Sequence, residues 1–351
     1  MRFGLVGAGK IGKLRAKAVA RTSGSSLVAV FDVNRSSSEQ VGRETGAPVC
    51  ASVDELMQIP MDALIVSSPV HLHVEPCLQA FKRGLHVLCE KPLTHTVESS
   101  RQVVRAAAEA GRVLAVGFNL RYYPAFRFIK DAIADGKIGT LDHLRVFGGH
   151  EGLPKFDADW QYRAPESGGG AMWDVGIHMT DLARYFLGEV TEVYGSMTER
   201  VWNVPGSEDN AIAVFRSPQG IVASYQATWI EWKGYGIAVE AYGDRGMVRG
   251  EYAPMRNLLI TQDRPGGERH VQKHRYPGIM LREKLRSWQT TALLSFMDEL
   301  KDFEALVRGN NGTTRIADGV AGLRAAEIAD AVRKSTSTGM AVQLPPYGTP
   351  A

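Results

Sequence analysis

Apolar runs of strand length alternate with amphipathic helical stretches from the start of the chain. Phe3-Gly4-Leu5-Val6 is a short buried run that ends in glycine, and residues 10–22 then carry a helical pattern. Leu27-Val28-Ala29-Val30-Phe31 predicts a second strand, closed by Asp32, with a further helix after the polar turn Arg35-Ser36-Ser37-Ser38. Ala63-Leu64-Ile65-Val66, His86-Val87-Leu88-Cys89 and Val113-Leu114-Ala115-Val116 continue the series. Helices run between them, through Leu78 to Phe81 and from Val97 to Ala110, each stopped by a glycine (Gly84, Gly111) as helices commonly are. Strands that are apolar throughout and separated by helices predict a parallel sheet covered on both faces. Near residue 120 the rhythm changes. One helix at about 124–134 precedes strands at 141–148, 190–201, 210–216, 220–229, 236–242 and 246–250, and a long helix is predicted at about 314–335. Several of these strands alternate polar with apolar residues, as in Ile221-Val222-Ala223-Ser224-Tyr225, which suits an antiparallel sheet with one wetter face.

Composition adds boundaries to this picture. A chain of 351 residues exceeds what one core usually organises, so we expect an α/β domain over 1–120 and an α+β domain over 121–351. The formal charge of +3 is spread thinly with no dense basic run, which argues against nucleic acid as a partner. Cys50, Cys77 and Cys89 sit in apolar surroundings and read as reduced, buried thiols. A strand starting at Arg2 leaves no room for a signal peptide, and no apolar run spans a bilayer. A cytoplasmic protein without membrane partners is the expectation.

Gly7-Ala8-Gly9-Lys10-Ile11-Gly12 matches G-x-G-x-x-G where a strand gives way to a helix. Without side chains the backbone turns tightly and approaches a pyrophosphate, which rests on the helix N-terminus. Twenty residues after Gly12, Asp32 is placed to bind the adenosine ribose and repel a 2′-phosphate, so NAD is preferred to NADP. Asn34 and Arg35 are assigned to the same cofactor, and Arg35 with Ser36 to Ser38 are the residues with which an NADP phosphate would be held.

Two further groups carry possible chemistry. Glu90-Lys91-Pro92 follows the strand 86–89, at the carboxyl edge where open parallel sheets bind ligands. Lys91 there reads either as a group poised toward a ligand or as an ordinary lysine after a strand. The run Gly168-Gly169-Gly170 leads to Asp174 and His178, four apart and so on one helical face, with Asp181 three further on. An imidazole so placed can take a hydroxyl proton while a carboxylate orients it. The alternative is a helix-start aspartate and a histidine satisfied in the core. A zinc site lacks a third ligand at the usual spacing, and no metal is expected.

Together these residues resemble the glucose–fructose oxidoreductase/inositol dehydrogenase family, Gfo/Idh/MocA. The resemblance runs over nearly the whole chain: the glycine motif at 7–12, Ser68-Pro69 with His73, Glu90-Lys91-Pro92, Gly117-Phe118-Asn119, and the glycine-rich segment before Asp174 and His178. It implies an N-terminal Rossmann domain and a C-terminal α+β domain with a large open, mainly antiparallel sheet, through which a homodimer or homotetramer assembles. It implies catalytic roles for Lys91, Asp174 and His178. By the same resemblance Ser68, Pro69, His73, Glu90, Lys91 and Asn119 line the cofactor, and Trp160 and Arg163 approach nicotinamide or substrate. Ser68 stands where threonine is more usual, which preserves the hydroxyl.

The expected activity is hydride transfer between NAD and a ring carbon of a sugar, sugar derivative or cyclitol. Polar-tipped aromatics (Tyr122, Tyr123, Trp160, Tyr162, Trp229, Trp232, Tyr235) match the C–H faces and hydroxyl rims of such rings, or else fill a core or interface. Lys91, Arg121, Tyr122, His150, Arg163, Asp174 and His178 are the expected substrate-binding residues. Two other readings use the same residues: a redox-neutral, NAD-assisted lyase or glycosidase, and a non-catalytic dinucleotide sensor.

Overall fold

The computed structural model describes residues 1–310 and 315–347. The chain divides into two compact units, one made of Met1–Tyr122 with Arg286–Leu323, the other of Tyr123–Leu285 with the remainder from Arg324. The single expected boundary near residue 120 is thus crossed a second time, because a helix far along the chain returns to the first core.

In the first unit β1 (Arg2–Val6), β2 (Ser26–Phe31), β3 (Ala63–Val66), β4 (His86–Cys89) and β5 (Leu114–Val116) form a parallel sheet in the order 5-4-3-1-2. Helices α1 (Lys10–Arg21), α2 (Arg35–Thr45), α3 (Val53–Met57), α4 (Val74–Lys82) and α5 (Val97–Glu109) connect them. Ala63 to Val66 and Val87 to Cys89 are all buried, which is why these strands read as unbroken apolar runs. The strand order reverses at β1, so the loop after it lies at the switch point where such sheets bind ligands.

The second unit holds α6 (Pro124–Ala134), α7 (Ala164–Ser167), α8 (Val175–Leu187) and a larger sheet. Its strands are β6 (Leu141–Gly149), β7 (Glu192–Thr198), β8 (Asn210–Arg216), β9 (Val222–Thr228), β10 (Gly236–Gly243), β11 (Gly246–Tyr252), β12 (Arg256–Thr261) and β13 (His270–Arg275). The order is 13-12-11-10-6-9-8-7, and β6 with β9 is the parallel pair among antiparallel ones. Along β8 Ala211, Ala213 and Phe215 are buried, whereas Ile212 and Val214 are exposed, so one face is packed and the other open. Helix α8 lies on the packed face, against β6 and β9.

The chain continues through α9 (Pro277–Arg286) into α10 (Gln289–Val307), a helix absent from the sequence-based expectation. Its Ala292, Leu293 and Phe296 pack on Leu14 and Ala18 of α1, and Leu300 and Phe303 enter the core around Phe3 and Leu5. A two-residue strand, β14 (Ala317–Asp318), then pairs with β5. The last helix, α11 (Gly319–Thr338), precedes a second short strand, β15 (Val342–Gln343), on β7. The helix expected from about 314 begins at Gly319, and residues 311–314 and 348–351 lie outside the described residues. Cys50, Cys77 and Cys89 are free and buried. Among the described residues no helix is long and apolar enough to cross a membrane.

Candidate active site

The loop after β1 is shaped by glycine. Gly7 has φ +94°, and a Cβ on it would lie 2.3 Å from the backbone nitrogen of Ser68; one on Gly12 would lie 2.0 Å from the Gly7 carbonyl oxygen. Gly9 faces open space and N-caps α1, with no side-chain cap and no acidic residue in the first turn. Lys10 and Ile11 open the helix, the Lys10 ammonium standing 5.7 Å from the Trp288 ring. Beside the loop the hydroxyls of Ser67 and Ser68 are buried without a hydrogen-bond partner among the described residues. A backbone that admits close approach, an uncapped helix start and two unsatisfied hydroxyls fit the phosphates and ribose of a dinucleotide.

Asp32 ends β2 with both oxygens engaged: Oδ2 accepts from the Ala8 amide and Oδ1 from the Asn34 amide. The carboxylate is therefore fixed in place, and its remaining lone pairs suit ribose hydroxyls. The groups with which NADP would be held are drawn elsewhere. Arg35 pairs with Glu39, Ser36 donates to Asn34, and Ser38 donates to the Arg35 carbonyl.

Glu90 and Lys91 follow β4, where Glu90 Oε1 accepts from Arg15 Nε at 2.6 Å and Oε2 from the Lys91 amide at 3.3 Å. His73 does not present its ring at the surface. It is buried, Nε2 lying 2.8 Å from the Ser68 carbonyl and Nδ1 3.0 Å from the Leu93 carbonyl and 3.3 Å from the Cys89 sulfur. Burial pushes its pKa down, and the two carbonyls that face its ring nitrogens oppose that fall. His73 thus ties the Ser68-Pro69 turn to the end of β4 instead of lining the cofactor with its ring. Burial also raises the Cys89 thiol well above its ordinary pKa.

Asn119 donates to Ser295 of α10. Arg121 and Tyr122, expected to bind substrate, are buried in the first unit. Arg121 donates to the carbonyls of Arg315 and Ile316, and the Tyr122 hydroxyl to Asp302. The reason is the returning segment 286–323, which supplies their partners.

In the second unit Asp174 N-caps α8 without a side-chain bond to that helix. Its Oδ2 instead accepts from His150 Nε2 at 2.7 Å and from Trp229 Nε1 at 3.1 Å, residues that follow β6 and β9. His150 Nδ1 accepts from the Gly152 amide at 3.0 Å, which fixes the ring proton on Nε2. His150, expected to offer a donor to substrate, is therefore committed to Asp174. One turn further along α8 His178 is half-buried, whereas Asp181 is buried in the helix's packed side. Phe156 packs edge-on against both His150 and Trp229, with ring centroids 5.6 and 5.2 Å away. Trp160 is half-buried, and Arg163 is exposed and paired with Glu166.

The glycine run before Asp174 is explained by Glu208, which no motif flagged. Its buried carboxylate accepts from the amides of Gly170 at 2.9 Å and Met172 at 2.8 Å, and its carbonyl accepts from Ala171. A Cβ on Gly170 would come within 2.1 Å of the Glu208 carbonyl oxygen. Burial raises the Glu208 pKa and the amide donors oppose that rise. Nothing in the sequence marks Glu208, two residues before β8, as different from a surface acid.

Comparison with known proteins agrees with this fold. A family model described as "Oxidoreductase family, NAD-binding Rossmann fold" matches residues 1–118, and the "GFO/IDH/MocA C-terminal domain" model matches residues 126–249. The chain is 30% identical to a 1,5-anhydro-D-fructose reductase of Ensifer adhaerens, over 95% of this chain and 99% of that protein. It is 28% identical to an inositol 2-dehydrogenase of Rhizobium meliloti, over 96% and 97%. In fold it is similar to a levoglucosan dehydrogenase solved with NADH and levoglucosan (TM-score 0.84, 23% identity, 98% and 99% covered). The WlbA dehydrogenase of Bordetella pertussis, solved with NADH and UDP-GlcNAcA, gives a TM-score of 0.80 at 24% identity, with 98% of each chain covered.

Proposed function

This chain belongs to the Gfo/Idh/MocA family of NAD-dependent oxidoreductases, and from that premise we propose that it oxidises a ring hydroxyl of a sugar, sugar derivative or cyclitol, or reduces the matching ketone. The observation that carries this reading is the Asp174 carboxylate, held by two side-chain donors one helical turn before His178. When bound, NAD supplies the acceptor for the hydride at its nicotinamide ring. The loop 7–12, Asp32, Ser68 and Glu90 hold and orient it. In oxidation His178 takes the hydroxyl proton as the C–H bond gives up its hydride, and it returns that proton in reduction. Asp174 stabilises the imidazolium that forms, with its own charge kept in place by His150 and Trp229. Lys91 donates a hydrogen bond to the reacting oxygen and stabilises the charge that develops there.

Ring polyols are supported by the names of the relatives, an anhydrofructose reductase and inositol dehydrogenases. The open face of the larger sheet exposes Tyr194, Ile212 and Val214, which supports assembly with further copies of the chain there.

The deciding experiment follows reduced-nicotinamide absorbance with NAD and a panel of sugars, sugar acids and cyclitols. A substrate-dependent rise is expected with NAD and a much smaller one with NADP. Bond cleavage without net NADH would replace this reading by the redox-neutral one.

A further inference from the structure

Helix α10 brings one residue into the first unit that the activity just described does not use. Glu299 is wholly buried and accepts from Arg15 Nη1. The same guanidinium donates from Nε to Glu90, the residue before Lys91. Arg15 is 2% exposed and lies with its guanidinium carbon 3.9 Å from the centroid of the Phe296 ring. Gly117 leaves it room, since a Cβ there would sit 2.6 Å from Arg15 Nη2 and 2.9 Å from Glu90 Oε2. Two carboxylates thus share one guanidinium in a dry setting. Glu299 Oε1 and Arg15 Nη2 have no hydrogen-bond partner among the described residues.

We propose that Glu299 is a positioning residue for the nicotinamide half of the cofactor, holding Glu90 through Arg15 and setting the net charge that Glu90 presents to the ring. This rests on the reading of Glu90 as a cofactor-lining residue. The groups that act on Glu299 are Arg15 from α1, Glu90 after β4, and Arg121 and Tyr122 after β5. On α10 itself Asp302 is taken by Tyr122, and Ser295 receives Asn119.

Burial pushes the Glu299 carboxyl up to about 7, with Glu90 adding to the rise and Arg15 and Arg121 opposing it. Below that value Glu299 holds its proton and Arg15 balances Glu90 alone. Above it the trio carries one net negative charge. An oxidised nicotinamide ring is cationic and a reduced one neutral, so rising pH strengthens binding of NAD⁺ relative to NADH. Stability follows with the opposite sense. A carboxyl whose folded pKa exceeds its unfolded one favours folding below the unfolded value and loses that contribution as pH rises through about 7.

The test measures dissociation constants of NAD⁺ and NADH between pH 6 and 8, without substrate, for the wild type and Glu299→Gln. The wild-type ratio of the NAD⁺ to the NADH constant is expected to fall about 3- to 10-fold across that range, and the variant's ratio to stay flat. A flat wild-type ratio overturns the proposal, as does a slope that survives in the variant. Infrared titration of the apoprotein in a Glu208→Gln background, which removes the other raised buried carboxyl, gives a second readout that does not depend on the Glu299 variant folding. A protonated carboxyl lost near neutral pH supports the assignment, and its absence throughout the range overturns it. Turnover plays no part in either measurement. Failure to oxidise any sugar would count against the proposed function, whereas a flat ratio would leave that function standing.

Discussion

The dinucleotide loop of the first unit and the aspartate–histidine site of the second are built from different materials. Residues 7–12 work through what they lack: Gly7 and Gly12 stand where a Cβ would strike backbone, and Gly9 leaves the space above it open. At the proposed second site the parts are side chains from three elements, with Asp174 and His178 on α8 and His150 and Trp229 after two sheet strands. Backbone recognition is contiguous in sequence, so one short motif exposes it. A side-chain constellation is assembled across the fold, so sequence spacing reveals the pair on one helix but not the donors that hold it. The two sites should therefore fail differently, the first by losing affinity and the second by losing turnover.

The largest effect separates them most sharply. His178→Ala is expected to lower kcat by about 10²- to 10⁴-fold while NADH affinity stays close to the wild type; a parallel loss of affinity would erase the contrast. Gly7→Ala should do the reverse. A side chain at φ +94°, against the Ser68 amide, is expected to weaken NADH binding by about 10- to 100-fold, read by fluorescence titration. Normal affinity in that variant would mean that the loop relaxes freely. The smallest effect sharpens the second site. Trp229→Phe keeps an aromatic ring at some cost in packing and removes one donor from Asp174, so its carboxyl should become less acidic. The acid limb of kcat/KM is expected to move to higher pH, with about a 3- to 10-fold loss below neutrality and near-wild-type rates at high pH. An unshifted limb would show that the Trp229 contact does not tune the carboxylate.

Much of the first unit was legible, because its strands are apolar throughout and its loops end in glycine. Helix α10 was also written in the chain, in the spacing of Ala292, Leu293, Phe296, Leu300 and Phe303. No local pattern tells which of two cores such a stripe will join. That destination removed Arg121 and Tyr122 from the substrate expectation and placed Glu299 beside Arg15. At the second site the one-face pairing of Asp174 with His178 could be read from a four-residue spacing. The commitment of His150 could not, since it depends on an amide two residues on and a carboxylate 24 residues away. Glu208 was illegible for a related reason. A buried carboxylate holding two amides looks, in one dimension, like any surface acid.

The three thiols lend themselves to a practical use. Cys77 and Cys89 have no exposed surface, Cys50 only 4%, and the Cys89 thiol resists ionisation. Alkylating reagents act on accessible thiolate, so the three thiols of the native protein should resist them. Any label that does appear would then time the opening of the structure around each sulfur. The three cysteines amount to a built-in clock for unfolding, readable by mass and requiring no engineered probe.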